Sequence, residues 1–429
     1  MTESAPLLEV TDLQTHFHTE EGTLRAVDGV SFRLDRGRTL ALVGESGCGK
    51  SVTARSLLRL IPAPGRIVGG SIRLHGGDDP PLDVLEERED SAALRNLRGG
   101  RAALIFQQAA AAASPVHTIG EQLLEAIRGH QKIGKMGARQ IALEMLERVG
   151  VEDPELCLRR YPHELSASLR QRAMIALALV SQPELLIADE PTAALDVTSQ
   201  AQVLILLKEL QKKHGLALLL ISHDLGVVAQ MADEVAVMYL GRVVEAGPVR
   251  TILKRPRHPY TIGLLEALSG LTPLGKRLPG LRGSVPALSD LPPGCAFHPR
   301  CNYAVPGRCN VGSPPPLERF AGQGAGEDRS AACWRTREVA LERLLHRPTA
   351  GGPASTPSLT PAAPSEPAPP ASTAALEDPT ERVTETAAPP FVAPRAPGPA
   401  DTQAEAEWFD SKDFESVREG PGGDEEPAP

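Results

Sequence analysis

The sequence predicts an α/β fold built on a largely parallel sheet, with a small cysteine-rich extension after it. From Leu7 to about Gly247, short apolar or β-branched runs alternate with helical stretches, which is the pattern of strands joined by crossover helices. A glycine-rich segment links one such run to a helical stretch, and four cysteines crowd a Pro- and Gly-rich region farther on. These observations also predict a phosphate site and a separate thiol cluster.

Several individual elements follow from the alternation. The runs TLALV, AALIF, LLIAD, LALLLIS and VAVMY predict buried strands, and ARQIALEMLERVG and SQAQVLILLKELQKKHG predict helices. Residues 248–346 are predicted to be a loop-rich appendage. Beyond His346, Pro, Ala, Thr and Glu dominate, so this tail cannot bury enough apolar surface to offset the entropy of folding. We therefore expect three regions: 1–265, the α/β domain with the predicted phosphate site; 266–346, the four-cysteine extension; and 347–429, a disordered tail.

Composition limits the class of protein. With 41% apolar residues the chain can bury a core, and its net charge of −9 is concentrated in residues 347–429, which carry 15 acidic and five basic side chains. The acidity therefore describes the tail, and we expect no nucleic-acid partner. No apolar run approaches the roughly 20 residues that span a bilayer, and the N-terminus lacks the features of a signal peptide. We expect a cytoplasmic protein.

The segment TLALVGESGCGKS is an apolar strand that leads into Gly44-x4-Gly49-Lys50-Ser51, and VTARSLLRLI after it is compatible with a helix. Glycines let the main chain fold around phosphate so that successive amides point at the anion. Lys50 is predicted to neutralise the β- and γ-phosphates of ATP, and the Ser51 hydroxyl to bind Mg²⁺. The complete predicted nucleotide loop is Gly44, Glu45, Ser46, Gly47, Cys48, Gly49, Lys50, Ser51 and Val52.

Such a site needs an acidic element at the end of another buried strand, and LLIADE supplies it. Asp189 is predicted to hold Mg²⁺ and Glu190 to polarise the attacking water, the alternative being an exposed acidic turn. His223, after the strand LALLLIS, could reach the γ-phosphate, and Gln107, after AALIF, could touch the metal or the water. Taken singly, a histidine or a glutamine at such a place is more often structural.

In chain order, GESGCGKS, IFQ, LSASLRQR, LLIADEPTAALD and LLISHD resemble the phosphate loop, glutamine loop, signature, acidic strand with D-loop, and histidine switch of ATP-binding-cassette (ABC) ATPases. The words YPHELS, LDVTSQAQVL, HDLGVVA, HPYTIGLLEAL and PPGCAFHPRC are similar to those of the ATPase subunits of oligopeptide and dipeptide importers. The resemblance extends to about residue 335. It implies a P-loop NTPase fold of the ABC type with a helical subdomain.

The resemblance further implies an ATPase that pairs head to tail with a second ABC ATPase subunit. Two transmembrane permease subunits and an extracytoplasmic peptide-binding protein would complete a transporter at the cytoplasmic face of the cell membrane. By position, Glu190 would be the catalytic base, His223 would contact the γ-phosphate, and Asp196 would match the D-loop aspartate. Ser166 of the signature would contact the partner's nucleotide. Phe17, or His18 beside it, would stack on adenine.

Two segments depart from the family pattern. The signature normally has two glycines after its serine, and here it has Ala167 and Ser168. The residues after Gln107 include the alanine run Ala109–Ala113, where relatives have polar residues that neighbour the permease groove. One hypothesis is an asymmetric heterodimer with one weak site, and another is a chain degraded towards inactivity. A soluble ABC ATPase of DNA repair or translation is the competing class.

The four clustered cysteines are Cys295, Cys301, Cys309 and Cys333, in turns rich in Pro and Gly. Zinc sites more often show paired Cys-x2-Cys knuckles, and four thiolates at open spacing also suit a [4Fe-4S] cluster. The resemblance favours an iron–sulfur cluster. Zn²⁺ is the alternative, and the simplest interpretation is four free thiols without a metal. Because the cysteines are far from the nucleotide motifs in sequence, we expect a structural or regulatory role.

Overall fold

The computed structural model describes residues 5–76, 79–107, 113–193, 195–268, 281–320 and 328–345. All of them belong to one compact unit, Met1–Gly351. The predicted disordered tail, 347–429, lies outside the described residues. So do residues 109–112 of the alanine run that follows Gln107, whereas Ala113 is described and buried.

The chain begins with a four-stranded antiparallel sheet that the sequence analysis does not predict. Its strands are β1 (Leu8–Thr19), β2 (Gly22–Leu34), β4 (Gly65–Gly76) and β5 (Asp79–Asp83), in the order β2-β1-β4-β5. β1 and β2 form a hairpin in which Phe17 lies opposite Leu24. Buried leucine, valine and isoleucine side chains from these strands join one core with the helix that follows the phosphate loop.

The main sheet has eight strands in the order β11-β12-β10-β9-β3-β8-β7-β6. The strands are β3 (Thr39–Val43), β6 (Ala102–Ile105), β7 (Leu185–Asp189), β8 (Ala217–Ile221), β9 (Glu234–Tyr239), β10 (Arg242–Pro248), β11 (Glu318–Phe320) and β12 (Arg329–Ala331). β9, β3, β8, β7 and β6 are parallel neighbours, which confirms the predicted parallel sheet. β10, β12 and β11 continue it in antiparallel register.

Helices connect the parallel strands and cover the sheet. They are α1 (Lys50–Leu57), α2 (Ala92–Leu97), α3 (Ile119–His130), α4 (Lys135–Arg148), α5 (Pro154–Arg159), α6 (Ala167–Leu179), α7 (Val197–His214), α8 (Leu225–Met231), α9 (Val249–Lys254), α10 (Pro259–Leu268) and α11 (Thr336–Leu345). The two helices predicted by periodicity are α4 and α7. None of the helices in the described ranges is both long and apolar enough to cross a bilayer.

Alternation along the buried strands divides the interior between two faces of the sheet. In β3, Leu40 and Leu42 face the core shared with α1 and the antiparallel sheet. Ala41 and Val43 face the opposite core, which contains Tyr260, Phe297 and other residues of the C-terminal part of the chain. The helices α3, α4, α5 and α6 pack with β7 and β8 in a third core, the helical subdomain.

The C-terminal extension is attached to the sheet and is not only a set of loops. Glu245 and Ala246 of β10 pair with Ala331 and Ser330 of β12, so the extension adds strands to the ATPase sheet. The boundary predicted between residues 265 and 266 falls inside α10. This region shares both a sheet and a core with the strand that precedes the phosphate loop. A separate 266–346 domain stays a prediction.

Candidate nucleotide site

The phosphate loop connects β3 to α1 and requires glycine at two positions. Gly44 has φ +154°, and a Cβ on it would lie 2.3 Å from the carbonyl oxygen of Met238. Gly49 has φ +105°, and its Cβ would lie 2.2 Å from the carbonyl oxygen of Ala26. Real side chains do not fit at such distances, and the conformation itself is costly for L-residues. The loop is thus shaped by its own glycines against the neighbouring main chain.

Lys50 lies inside this loop. Its Nζ donates to the carbonyl oxygens of Gly44 at 2.8 Å and Glu45 at 2.9 Å, and lies 3.7 Å from Cys48 Sγ. Ser46 and Gly47 are exposed at the tip. The arrangement offers a buried ammonium and the N-terminus of α1 to an anion, as phosphate loops do.

The side chains of Cys48 and Val52 belong to the core below the loop. Cys48 is fully buried, and burial raises the pKa of its thiol. A neutral buried thiol is unreactive, so Cys48 can face a nucleotide only through its main chain. The Val52 side chain also packs against this core.

Asp189 ends β7 and meets Ser51 of the phosphate loop. The carboxyl is buried, and burial raises its pKa although the Ser51 hydroxyl donates a hydrogen bond to it and Lys50 is nearby. A buried carboxylate gains from a bound cation, which repays its desolvation. Ser51 and Asp189 are therefore placed together where Mg²⁺ ligands are predicted.

Glu190 and His223 are brought into contact at the ends of β7 and β8. Glu190 Oε1 lies 3.1 Å from His223 Nδ1, and the glutamate side chain is 16% exposed while the histidine is 69% exposed. Glu190 has φ +50°, and its N–H donates to the carbonyl oxygen of Ile221 at 2.9 Å. A glutamate held in the left-handed region is strained, and such strain concentrates at functional sites. The contact orients the Glu190 carboxylate and the His223 imidazole toward each other.

Gln107 leaves the sheet at the same edge. Because β6 runs parallel to β7, with Ile105 opposite Ala188, Gln107 and Asp189 both follow carboxyl ends of neighbouring strands. Gln107 is exposed. Its predicted contact with metal or water stays a prediction.

The signature segment forms the start of α6. Ser166 is its N-cap, and its Oγ accepts from the N–H of Leu169 at 3.2 Å. Ser166 and Ala167 are exposed and Ser168 is half-buried. The positive φ angles recorded for the described residues include none at these positions. Helix geometry alone does not require the missing glycines.

The D-loop residue Asp196 caps α7 in the same way. Its carboxylate accepts from the Ser199 N–H at 2.9 Å and the Ser199 Oγ at 2.5 Å. These hydrogen bonds hold the pKa of Asp196 below its ordinary value. The aspartate is exposed, and its other faces are open to a partner.

Phe17 lies half-buried in β1, and its ring packs against Gly65 of β4. A Cβ on Gly65 would lie 2.6 Å from both Phe17 Cε1 and Ile61 Cγ2. His18 is exposed, and its Nδ1 lies 3.2 Å from Thr23 Oγ1. Adenine stacking stays a prediction for Phe17 and for His18.

Two residues that hold the phosphate loop were missed by the sequence analysis. The Arg300 guanidinium donates to both carboxylate oxygens of Glu45, at 2.7 and 2.9 Å. The Tyr260 hydroxyl accepts the Glu45 N–H at 2.8 Å. Both residues occur in the importer-like words HPYTIGLLEAL and PPGCAFHPRC, which were the available signal.

The four clustered cysteines line one cavity with His258, Phe297 and Trp334. Each sulfur accepts a main-chain N–H, from Phe297 to Cys295, from Tyr303 to Cys301, from Val305 to Cys309, and from Arg335 to Cys333. Burial raises the pKa of Cys295 to about 12 and that of Cys301 to about 11. Within the part of the chain that the structure describes, no three His, Cys, Asp or Glu side chains form the ligand shell of a metal ion.

Comparisons with known proteins agree with this geometry. The family model for ABC transporters matches residues 27–193, and that for the oligopeptide/dipeptide transporter C-terminal region matches residues 244–309. A "probable peptide ABC transporter ATP-binding protein" of Sinorhizobium fredii is 47% identical over 78% of this chain and 96% of its own. The dipeptide transport ATP-binding protein DppD of Escherichia coli is 46% identical over 72% of this chain and 92% of its own.

A solved structure supports the fold. The ATP-binding cassette MJ0796, a dimer bound to ADP and phosphate, superposes with a TM-score of 0.51 at 24% identity. The match covers 57% of this chain and 99% of the cassette. From the family models and the relatives together, the chain belongs to the ATP-binding subunits of oligopeptide- and dipeptide-type ABC importers, which are ATPases coupled to transport.

Proposed function

We propose that this chain binds and hydrolyses ATP at its own phosphate loop to drive peptide import. The observation that carries the proposal is the juxtaposition of the Ser51–Asp189 hydrogen bond with the Glu190–His223 contact at adjoining strand ends. These are separate parts of the sequence that only the parallel sheet brings to one edge. A nucleotide-binding relic would not need the strained Glu190 held against His223.

In this proposal Lys50 and the loop amides bind the β- and γ-phosphates. Ser51, Asp189 and Gln107 would hold Mg²⁺, which supplies charge neutralisation to the triphosphate when bound. Glu190 accepts the proton of the attacking water. His223, whose Nδ1 lies 3.1 Å from the Glu190 carboxylate, orients that carboxylate and contacts the γ-phosphate.

The chain would work in a head-to-tail heterodimer with a second ABC ATPase, beside two permease subunits and an extracytoplasmic peptide-binding protein. Its place would be the cytoplasmic face of the cell membrane. In this arrangement the signature of this chain completes the nucleotide pocket of the partner, so Ala167 and Ser168 weaken the partner's site. The Lys50 pocket is completed by the partner's signature and is not affected by them. The intact Ser166 cap and helix start support a signature that still docks.

ATP turnover of the assembled complex tests the assignment. We expect Glu190→Gln to lower turnover by about 10²-fold or more, because the water loses its base, while nucleotide still binds. Glu147→Gln, an exposed glutamate of α4, is the matched control and should leave turnover unchanged. Unchanged turnover in Glu190→Gln would favour the second candidate, a chain degraded towards inactivity, which the altered signature suggests.

Membrane partners need a separate test. A soluble ABC ATPase would bring no membrane subunits when the tagged chain is captured from detergent-solubilised membranes. We expect two permease subunits and a second ATPase in the captured complex. Capture of the chain alone would contradict the transport assignment.

We further propose that Cys295, Cys301, Cys309 and Cys333 hold a [4Fe-4S] cluster, with Zn²⁺ as the alternative. Amide hydrogen bonds to all four sulfurs suit thiolate ligands, whose charge they stabilise. When bound, such a group would tie these chain segments together.

Metal and sulfide analysis of protein purified without oxygen tests this proposal. We expect iron and sulfide with the brown colour of an iron–sulfur protein, both lost in Cys309→Ser. Cys157→Ser, which changes a cysteine of α5 outside the cavity, should keep them. One zinc per chain would establish the alternative, and neither metal would leave four thiols.

A further inference from the structure

Arg300 connects the four-cysteine region to the phosphate loop. Beyond its two hydrogen bonds to the Glu45 carboxylate, its Nε donates to the carbonyl oxygen of Arg282 at 2.8 Å. The side chain is only 5% exposed. A bidentate guanidinium–carboxylate pair with so little solvent is strong and directional. The Arg300 guanidinium is therefore held on one side by Glu45 and on another by the main chain at Arg282.

Arg300 lies next to the cysteine-lined cavity. Arg300 directly precedes Cys301, and its N–H donates to the carbonyl oxygen of Phe297 at 3.0 Å in a short 3-10 turn. Its guanidinium carbon lies 5.9 Å from the Phe297 ring and 5.8 Å from the Tyr239 ring. Phe297 itself lines the cavity with the four thiols. Phe297 therefore links the cavity to Arg300 by direct contacts.

Tyr260 holds the same loop residue from a second direction. Its buried ring lies 4.7 Å from the Tyr239 ring and 5.4 Å from the Phe297 ring, and its hydroxyl accepts the Glu45 N–H. The start of its helix, α10, is held by the buried Glu245, whose carboxylate accepts from the N–H groups of Arg257 and His258. The main chain and the side chain of Glu45 are both anchored from the C-terminal region.

Glu45 is an anion inside a loop that binds anions. Its carbonyl oxygen accepts from Lys50 Nζ at 2.9 Å. Glu45 is thus in direct contact with the lysine that is predicted to bind phosphate. Without Arg300, the loop would carry the uncompensated negative charge of the Glu45 carboxylate, which opposes the binding of an anion to the same loop. Arg300 removes that repulsion and fixes the loop.

We propose that Arg300 is a positioning residue of the nucleotide site and makes nucleotide affinity depend on the integrity of the four-cysteine region. It acts through Glu45 and touches no nucleotide. The proposal rests on nucleotide binding at the Lys50 loop, and it holds for whichever group the cysteines carry. Loss of the group that the cysteines carry would lower the affinity of the Lys50 loop for nucleotide.

The test measures the dissociation constant of a fluorescent ATP analogue with the full-length chain. We expect Arg300→Gln to weaken binding about tenfold or more, and the loss to shrink at high salt because it is electrostatic. The double variant Arg300→Gln/Glu45→Gln should regain affinity, since the uncompensated charge is gone. General damage to the fold would not be rescued in this way. Arg300→Lys, which keeps the charge but not the fork, should lose less.

Arg33→Gln is the matched control, because Arg33 also pairs with a glutamate, Glu9, but does so on the antiparallel N-terminal sheet and does not line the cysteine cavity. It should change affinity less than about twofold. Wild-type affinity retained in Arg300→Gln would overturn the inference alone. No binding by the wild-type chain would instead overturn the nucleotide site itself.

Coupling to the cavity is tested by a double-mutant cycle. Cys309→Ser should weaken nucleotide binding in the wild-type background and add little in the Arg300→Gln/Glu45→Gln background. Equal effects in both backgrounds, or no effect in either, would contradict transmission through Arg300.

Discussion

The phosphate loop and the signature segment are both short turns before a helix, yet they tolerate side chains very differently. In the phosphate loop, Gly44 and Gly49 have positive φ angles, and a Cβ would meet main-chain oxygens at 2.3 and 2.2 Å. In the signature, Ala167 and Ser168 occupy ordinary positions at the start of α6. The fold demands glycine in the first case and does not demand it in the second.

This difference explains how the chain can lose its signature glycines and keep its fold. In the proposed dimer, the cost of Ala167 and Ser168 would fall on the approach of a nucleotide held by the other subunit and not on the fold of this chain. A substitution in the phosphate loop would instead disturb the chain that carries it. Four predictions, from the largest expected effect to the smallest, test this distinction.

Gly49→Ala should destabilise the protein by about 3 kcal/mol or more, because positive φ strain adds to the clash with the Ala26 carbonyl. Gly47→Ala is the control, since Gly47 has φ +79° but no atom within 4 Å of the place that a Cβ would take. It should lose only about 1–2 kcal/mol. Urea unfolding measures both, and equal losses would contradict the steric argument.

Glu245 holds the start of α10, the helix whose Tyr260 contacts the phosphate loop, and its contribution to stability should depend on pH. Burial raises the pKa of Glu245 from 4.5 to about 7, so the folded state holds its proton more tightly than the unfolded state. The stabilising contribution is complete below pH 4.5 and is lost as pH rises through about 7. We expect the wild type to lose on the order of 3 kcal/mol relative to Glu245→Gln across that window.

Unfolding free energies of the two proteins at several pH values measure this difference. Parallel curves between pH 4.5 and 8 would show that Glu245 does not titrate as its burial requires.

Ser166→Ala should cost about 1 kcal/mol of stability, because the cap of α6 is lost. Ser91→Ala provides the control, since Ser91 Oγ caps α2 by accepting from the Leu94 N–H at 3.0 Å. Both variants should lose similar stability, but only Ser166→Ala should lower ATP turnover of the assembled complex. Equal turnover in the two would mean that the signature serine acts only as a cap.

Restoring glycine in the signature should have the smallest effect on the fold. Ala167→Gly and Ser168→Gly should each cost about 0.5–1 kcal/mol, because glycine loses more entropy in a helix. Turnover of the assembled complex should rise if the partner's pocket was the weak one. Thermal unfolding and turnover, measured on the same preparations, separate the two effects, and a gain of stability would contradict the helical assignment.

Much of this molecule could be predicted from local pattern. The five predicted strands are all present, and α4 and α7 match the predicted helices within three residues at their starts. The side chains Ser51, Asp189, Glu190 and His223 meet at the expected sheet edge, because parallel strands place their carboxyl ends together. The antiparallel N-terminal sheet was not foreseen, since its strands lack a continuous apolar run.

The sequence by itself determined the parallel strands, the helices α4 and α7, the glycine positions and the order of the nucleotide motifs, because each is fixed by residues within a few positions of one another. Only the tertiary structure decided that β12 joins the ATPase sheet and that the Arg300 guanidinium donates to the carboxylate of Glu45, 255 residues earlier in the chain. Such pairings depend on how Ala41, Val43 and the aromatic core pack. No local periodicity encodes which buried charge will find which partner.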